Sequence, residues 1–384
     1  MTAAPAKDER VSATGPAHVA VVSFLAARAA PSGGFWIALA GGMALARVAE
    51  RRGARLGFGT SVAAMLETVA IIGPARFGIP LTQAITAPLL GRLEARGWAP
   101  VPQIALCSVI RALQNAITTA FFIWIIAGGL DAYAGTYDAI ARRVGLEVGN
   151  EDALALTAAV LVVWAVFAST VQVLVYRRGL RSWDAEAEHA VLIRTLTAPK
   201  EEPQPWRGRY DPRLVVLTAV VLFGVLLAST QWIVLAAVSA FLALAWVTAR
   251  ADNSAVPTGL VLAGNLAAGA LIFSLGGGLG IEVALRRALR AALLVMVATW
   301  MRAAAGAEGL REVFHGMLGR LRRIPSMPEA AGVLDTVETE GRLTAAGRAL
   351  ARRLEGVPLR PVPICDAVLG WAIAESVRRE REPR

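Results

Sequence analysis

Long apolar segments, separated by short polar and arginine-rich ones, dominate the hydrophobic pattern of this chain. The clearest of them are residues 153–176, 214–229, 232–249 and 258–275. Because a helix that crosses a bilayer needs ~20 mostly apolar residues, these segments predict membrane-spanning helices. Residues 101–130 are also long enough to span. Weaker segments, short and rich in Gly and Ala, lie at 35–48, 56–72 and 79–90. We expect some of the weaker ones to be tilted, re-entrant or partly inserted.

Residues 181–209 divide the chain, since no apolar block crosses them and Pro and Glu accumulate from Pro199 onward. Before this linker we expect a membrane module, 1–180, with up to six hydrophobic helices. After it we expect a four-span module at 210–303, in which the short apolar segment 289–301 and the residues before it form the fourth span. Residues 304–384 are arginine-rich and amphipathic, with no stretch apolar enough to span. They predict cytoplasmic helices that are interrupted at their prolines.

Composition and charge agree with a membrane protein. Of 384 residues, 56% are hydrophobic and 18% are charged, whereas average soluble domains have about 45–50% and about 25%. The formal charge of +10 would suit nucleic acid, but the arginines lie between and after the apolar blocks, as in cytoplasmic loops. We therefore predict an all-α fold, a polytopic integral protein of the bacterial plasma (inner) membrane with cytoplasmic amphipathic C-terminal helices. Its surroundings would be membrane lipid, and it would bind no nucleic acid.

No motif for catalysis or cofactor binding is apparent. A nucleotide-binding P-loop needs a Gly-rich turn followed by a lysine, and neither Lys7 nor Lys200 has that setting. The two cysteines are too few for a disulfide framework, the three histidines lie in unrelated segments, and the acidic residues are scattered. We expect no catalytic residue, no metal and no cofactor. Energy for any driven transport would come from partner subunits or an ion gradient.

Polar residues inside the apolar segments of the N-terminal module carry functional weight, because burying them in a membrane is costly. They are Glu67, Arg76, Gln83, Arg111, Gln114 and Asn115. Arg111, Gln114 and Asn115 share one helical face at i, i+3 and i+4, which suits a lined cavity or a helix–helix contact. These three residues and Glu67 are predicted to line a small-molecule site. The alternative is that Arg111 pairs with Glu67.

Small residues repeat every four positions at Ala38, Gly42 and Ala46. This spacing lets helices approach closely in lipid. This pattern fits both packing inside the module and docking on another module.

The second half carries several features in a specific order. They are Asp-Pro-Arg at 211–213 before an apolar helix, a very short turn at 229–231, a Gly-rich turn at 276–280, the sequence Ala-Leu-Arg-Arg-Ala-Leu-Arg at 284–290 and an amphipathic segment at 309–325. Over roughly residues 210–356 this organisation resembles the T component of energy-coupling factor (ECF) transporters. That component is the membrane scaffold that links ATPases to a substrate-binding S component.

The resemblance implies that cytoplasmic helices carrying Ala-Arg-Gly motifs lie in grooves of two ATPases. The nearest counterpart in this chain, Ala351-Arg352-Arg353, lacks the Gly. The candidates for partner docking are Arg320, Arg322, Arg323, Arg348, Arg352 and Arg353. Independently of the family, Arg348, Arg352 and Arg353 form the basic face of an amphipathic helix. Its apolar stripe consists of Leu343, Leu350 and Leu354. A basic face opposite an apolar stripe suits a protein partner or an anionic membrane surface.

The sequence therefore predicts a membrane subunit of an ECF-type importer that scaffolds separate cytoplasmic ATPases. Residues 1–180 resemble an S component only in organisation, through their hydrophobic helices and small-residue faces, and this implies a micronutrient-binding module fused to the scaffold. The alternative is a non-transport structural or assembly subunit of a membrane complex, which the incomplete Ala-Arg-Gly motif favours.

Overall fold

Helices form the regular structure of the protein in the computed structural model. The residues described are 7–29, 34–74, 79–143, 145, 149–192, 210–248, 252, 254–337, 340–358 and 360–381. No strand occurs in these ranges, which confirms the predicted all-α class. Arg76 and residues 193–209 lie outside the described residues.

Fourteen helices and one π-helical turn follow one another through those ranges. The helices are α1 (Lys7–Ala29), α2 (Gly34–Arg52), α3 (Ala54–Ile72), α4 (Ile79–Ala95), α5 (Pro100–Phe121), α6 (Leu130–Arg143), α7 (Asn150–Leu192), α8 (Pro212–Ala228), α9 (Trp232–Thr248), α10 (Val256–Gly276), α11 (Ile281–Arg320), α12 (Met327–Leu334), α13 (Glu340–Leu354) and α14 (Pro361–Arg381). The π-helical turn, Phe122–Ala127, continues α5.

Helix α1 lies in the largest hydrophobic core of the described residues. Its residues 13–24 are buried, and it contacts α2, α3, α12, α13 and α14. Gly15 permits the close approach of α14, since a Cβ at that position would lie 2.4 Å from the carbonyl oxygen of Ser376. The amphipathic helices of the C-terminal region therefore pack their apolar sides on the first helices of the chain.

Small residues of α2 allow close contacts with α4 and α7. A Cβ on Gly42 would lie 1.7 Å from the hydroxyl oxygen of Tyr176. Ala46 is approached from α4 by Gly91, where a Cβ would lie 1.9 Å from the Ala46 carbonyl oxygen. The four-residue spacing thus serves packing inside the protein, which is one of the two alternatives that the sequence left open.

A second core forms between α8, α9 and the first part of α11. Around it, the outward faces of α5, α7, α8, α9 and α10 carry large apolar side chains. The most exposed of these include Ile117, Val163, Leu217, Ile233, Val247 and Val261. By contrast, α1, α2 and α3 expose no large hydrophobic side chain among their described residues. The outer helices therefore present an apolar surface, and the first three helices do not.

Four helical segments are long and apolar enough to cross a membrane. They are Ala54–Ile72, Pro100–Ala127, Glu151–Asp184 and Val256–Gly276. Helices α8 and α9 are apolar too, but each is 17 residues long. The four segments differ in burial. In α3, 67% of the apolar 18-residue stretch is buried, whereas in the other three segments only 17–22% is buried. The α3 segment is apolar as part of a protein core, whereas the other three have open apolar faces.

Helix α11 connects the two cores through a break at Gly306. There the backbone adopts φ 68° and ψ 170°, a conformation that is essentially restricted to glycine. Residues between Leu293 and Leu310 contribute to the second core, and Leu318 belongs to the first. A single helix with one glycine break thus runs from the apolar bundle to the C-terminal helices.

Helix α7 extends beyond the predicted end of the N-terminal module. It is 43 residues long and continues through residues 181–192 of the predicted linker. Asp184 on this extension accepts hydrogen bonds from Arg51, at 2.6 Å, and from Arg47 of α2. These ion pairs tie the extension to the first helices of the chain.

Candidate functional site: a buried polar cluster among α4, α5 and α7

Arg111 occupies the centre of a polar cluster between α5 and α7. Its Nη2 donates to Gln172 Oε1 at 2.7 Å and its Nε to Ser169 Oγ at 3.4 Å. Arg111 is 6% exposed and both partners are fully buried. No carboxylate within the described part of the chain pairs with it. An arginine that is buried and held by neutral groups is costly and is a candidate for function.

Gln172 extends the cluster to α4. Its Nε2 donates to Gln83 Oε1 at 2.9 Å and to Thr86 Oγ1 at 2.8 Å. Tyr176, one turn further along α7, donates to the same Gln83 oxygen at 2.5 Å. The Nε2 of Gln83 is buried and finds no acceptor among the described residues. The cluster therefore has donors in excess, which suits a ligand group that accepts hydrogen bonds.

Gln114 and Asn115 lie next to this cluster on α5. Gln114 Oε1 accepts a hydrogen bond from the hydroxyl of Thr82 on α4. Asn115 is partly buried, and its Nδ2 has no hydrogen-bond partner in the described ranges. The predicted polar face of α5 is thus turned toward the protein, with Arg111 directed to α7 and Gln114 to α4.

Glu67 does not belong to the cluster. It is fully buried on α3, and its Oε2 accepts from Arg311 Nε at 2.8 Å while its other oxygen accepts from Arg311 Nη2. Arg311 also donates from Nη1 to Glu308 at 2.7 Å. Burial alone would lower the pKa of Arg311, but the two carboxylates outweigh it and raise that pKa. The predicted alternative pair of Arg111 with Glu67 is therefore not formed, because α3 packs on α11 whereas α5 packs on α7.

Other arginines join the N-terminal helices to α11 at both ends of its apolar part. Arg302 is almost fully buried; its Nε donates to the carbonyl oxygen of Ile71 at 2.8 Å, and its Nη1 to Asp252 at 2.9 Å. At the opposite end, Arg287 donates to the carbonyl oxygen of Ala127 at 2.8 Å. The first and second halves of the chain are thus held together by charged groups as well as by apolar packing.

The six arginines predicted for docking are all exposed, but they lie on two surfaces. Arg320, Arg322 and Arg323 occupy the end of α11 and the turn before α12. Large apolar side chains are exposed beside them, at Met317, Leu321 and Ile324. Exposed charge next to exposed apolar area is typical of a surface that binds a partner. We call this surface the basic turn.

The other three arginines lie on α13. Arg348 lines an apolar groove. Arg352 and Arg353 are exposed near the end of the helix, and Arg353 lies close to Gly370 of α14. Arg348 is therefore placed differently from its two neighbours.

No protein-family model, curated protein or solved structure matches this chain. The class that the fold defines is an all-helical protein with four helices long and apolar enough to cross a membrane. In the described ranges, no three His, Cys, Asp or Glu side chains come together as a metal site would require.

Sequence reasoning missed the α7 side of the cluster. Ser169, Gln172 and Tyr176 fall at i, i+3 and i+7 within an otherwise apolar segment. That spacing places them on one helical face, so the same periodicity that identified the face of α5 could have found them. The pairing of the two faces has no comparable signal, because it joins residues 61 positions apart.

Proposed function

We propose that this protein is the membrane scaffold subunit of an ECF-type importer, and that it holds separate cytoplasmic ATPases. Three helices that are long, apolar and largely exposed support the membrane class. We place the protein in the bacterial inner membrane, with the arginine-rich C-terminal helices in the cytoplasm, following the positive-inside rule. ATP hydrolysis belongs to the partners in this proposal.

The observation that carries the proposal is that α11, with one break at Gly306, runs from an apolar bundle to the basic turn. Its first part packs with α8 and α9, and beyond Gly306 its Arg311 is bonded to the buried Glu67 of α3. Arg320 then opens the exposed basic turn. A partner that moves the basic turn would displace both cores through one helix, and the glycine break provides a hinge.

The cluster around Arg111 is the place where we expect the N-terminal module to meet a small molecule. Arg111 and the unused amide donor of Gln83 suit an anionic or acceptor-rich substrate. Access to these groups requires that α4 separates from α5 and α7. In this proposal, ATP-driven movement of the partners supplies that separation.

Purification of the full complex from native membranes in mild detergent tests the proposal. We expect ATPase subunits to copurify with the wild-type protein. Replacing Arg320, Arg322 and Arg323 by Glu should lower their recovery at least tenfold. A charge-matched control replaces the exposed Arg96, Arg181 and Arg360 by Glu and should retain them. A wild-type complex without any nucleotide-binding subunit would contradict the proposal.

A structural or assembly subunit is the second candidate, and the missing Gly after Ala351-Arg352 favours it. The double substitution of Arg352 and Arg353 by Glu separates the two functions. Lost uptake by a complex that still assembles indicates coupling. Loss of the larger complex itself indicates a structural role.

A further inference from the structure

An apolar groove of about 550 Å³ lies between α13 and the ends of α1, α2 and α3. Its walls include Val22, Leu25, Ile37, Ile71, Leu350 and Leu354. This volume falls within the range of ~300–1,000 Å³ that is usual for small-molecule sites. The groove therefore suits an apolar ligand of that size.

Two polar side chains, both from α13, interrupt the apolar lining. They are Thr344 and Arg348, which are four residues apart and exposed. No carboxylate occurs among the described lining residues. The groove thus combines apolar walls with a hydroxyl and a cation that no described lining carboxylate neutralises, which suits a ligand with an anionic head.

The position of the groove along the membrane normal follows from Ile71, which lies in its wall. The carbonyl oxygen of Ile71 accepts from Arg302, which also binds Asp252. This contact marks the ends of the apolar helices, because Asp252 lies between the end of α9 at Thr248 and the start of α10 at Val256. The groove therefore lies at the level where the apolar helices give way to charged groups, which is the level of lipid headgroups.

Gly347 keeps the groove open. It lines the groove between Thr344 and Arg348, and a Cβ at this position would meet no atom within 4 Å. Glycine inside a helix lowers helix stability relative to alanine. Close packing does not explain this loss of stability at position 347. A larger side chain here would begin in open space and extend into the groove.

We propose that this groove binds one acyl chain of an anionic phospholipid, with the lipid phosphate at Arg348 and Thr344. The chain is buried against the ends of α1, α2 and α3, where each methylene leaves water or the interface for an apolar wall. The phosphate accepts charge-assisted hydrogen bonds from the guanidinium. Lipid occupancy would fix α13, and with it the position of Arg352 and Arg353, against the first core.

Photolabelling of the full-length protein in lipid vesicles tests this site. The probes are phosphatidylglycerol and phosphatidylcholine that carry a diazirine in the acyl chain. We expect phosphatidylglycerol to label peptides containing residues 22–26 and 343–354 several times more than phosphatidylcholine does. Gly347→Phe should reduce labelling by both lipids several-fold. Arg348→Gln should reduce only the labelling by phosphatidylglycerol, to the level of the neutral lipid.

Two matched variants control for folding and for general charge. Gly316→Phe introduces the same side chain at an exposed helical glycine with open space around it. Arg352→Gln removes a charge one turn beyond Arg348, outside the groove lining. Both should be labelled like the wild type.

Equal labelling by the two lipids, or labelling that Gly347→Phe leaves unchanged, would overturn the proposal. The same probes can be applied to the complex purified from native membranes. Absence of label on α13 in that complex would also overturn the proposal, since a protein partner would then fill the groove. The vesicle experiment needs no ATPase, so its result is independent of the importer proposal.

Discussion

The apolar side chains of α2 lie against other helices, whereas most of those on α8 and α9 face outward. In α2 every residue from Ile37 to Ala49 is buried. In α8 only Pro212, Val215, Ala219 and Leu226 are buried. Part of the difference is visible in hydropathy, since α8 is the more hydrophobic helix and α2 ends in charged residues. Residue size contributes as well, because the Gly and Ala residues of α2 permit the close approach that burial on all sides requires.

Glycine substitutions should show the largest difference between closely packed helices and helices with open faces. At Gly91 on α4, a side chain meets the backbone of α2 at 1.9 Å, and backbone cannot yield as a flexible side chain can. We expect Gly91→Leu to reduce the yield of monodisperse protein at least tenfold, measured by size-exclusion chromatography in detergent. Gly264 on α10 has no neighbour within 4 Å of its Cβ position, and Gly264→Leu should give the wild-type yield. Similar yields for both variants would mean that α2 and α4 are not closely packed.

The buried ion pair between α3 and α11 should give the next largest effect. Removing one partner of such a pair costs about 3–5 kcal/mol, whereas replacing both by apolar residues is often neutral. We therefore expect Glu67→Leu to destabilise the protein strongly and the double variant Glu67→Leu, Arg311→Leu to recover most of the loss. Thermal unfolding in detergent measures both. A double variant that is less stable than the single one would argue against direct pairing.

A substitution at the break in α11 should have a smaller effect on stability. Alanine at Gly306 would have to adopt positive φ with ψ near 170°, at a cost of about 1–3 kcal/mol. Gly306→Ala should lower the unfolding temperature. Gly316→Ala, in the same helix with open space around it, should raise the unfolding temperature slightly because alanine favours helix. If the two variants behave alike, α11 is continuous at residue 306.

The smallest expected effect is a pH dependence confined to the first core. Burial would raise the pKa of Glu375 on α14, but the neighbouring His18 and Arg378 outweigh it and hold this pKa well below its usual range. Arg379 donates to the same carboxylate at 3.0 Å. A lowered carboxyl pKa stabilises the fold above the ordinary value of about 4.3, and this stability is lost as pH falls below it.

Thermal unfolding at pH 6 and pH 3 measures this dependence. We expect Glu375→Gln to be less stable than the wild type at pH 6 and to lose less stability on acidification. A variant with the full wild-type pH dependence would exclude Glu375 as its source.

Local features of this fold could be predicted from the sequence, and long-range pairings could not. Periodicity and hydropathy predicted the helical class, the long apolar segments and the polar face of Arg111 and Gln114. The partner of Glu67 lies 244 positions away, and no pattern near either residue specifies it. The apolar stripe of α13 was predicted, but a stripe does not tell whether its partner is the same chain or another protein. Here it packs on α1 and α14.

The separation of a protein core from an outer apolar surface is tested most directly by a small hydrophobic diazirine dissolved in vesicles that contain the full-length protein. Mass spectrometry would compare labelling of residues 38–45 in α2 with that of exposed positions such as Leu217, Ile233 and Val247. We predict strong labelling of α8 and α9 and only background labelling of α2. Labelling of α2 at the level of α8 would contradict the arrangement, because α2 would then face lipid.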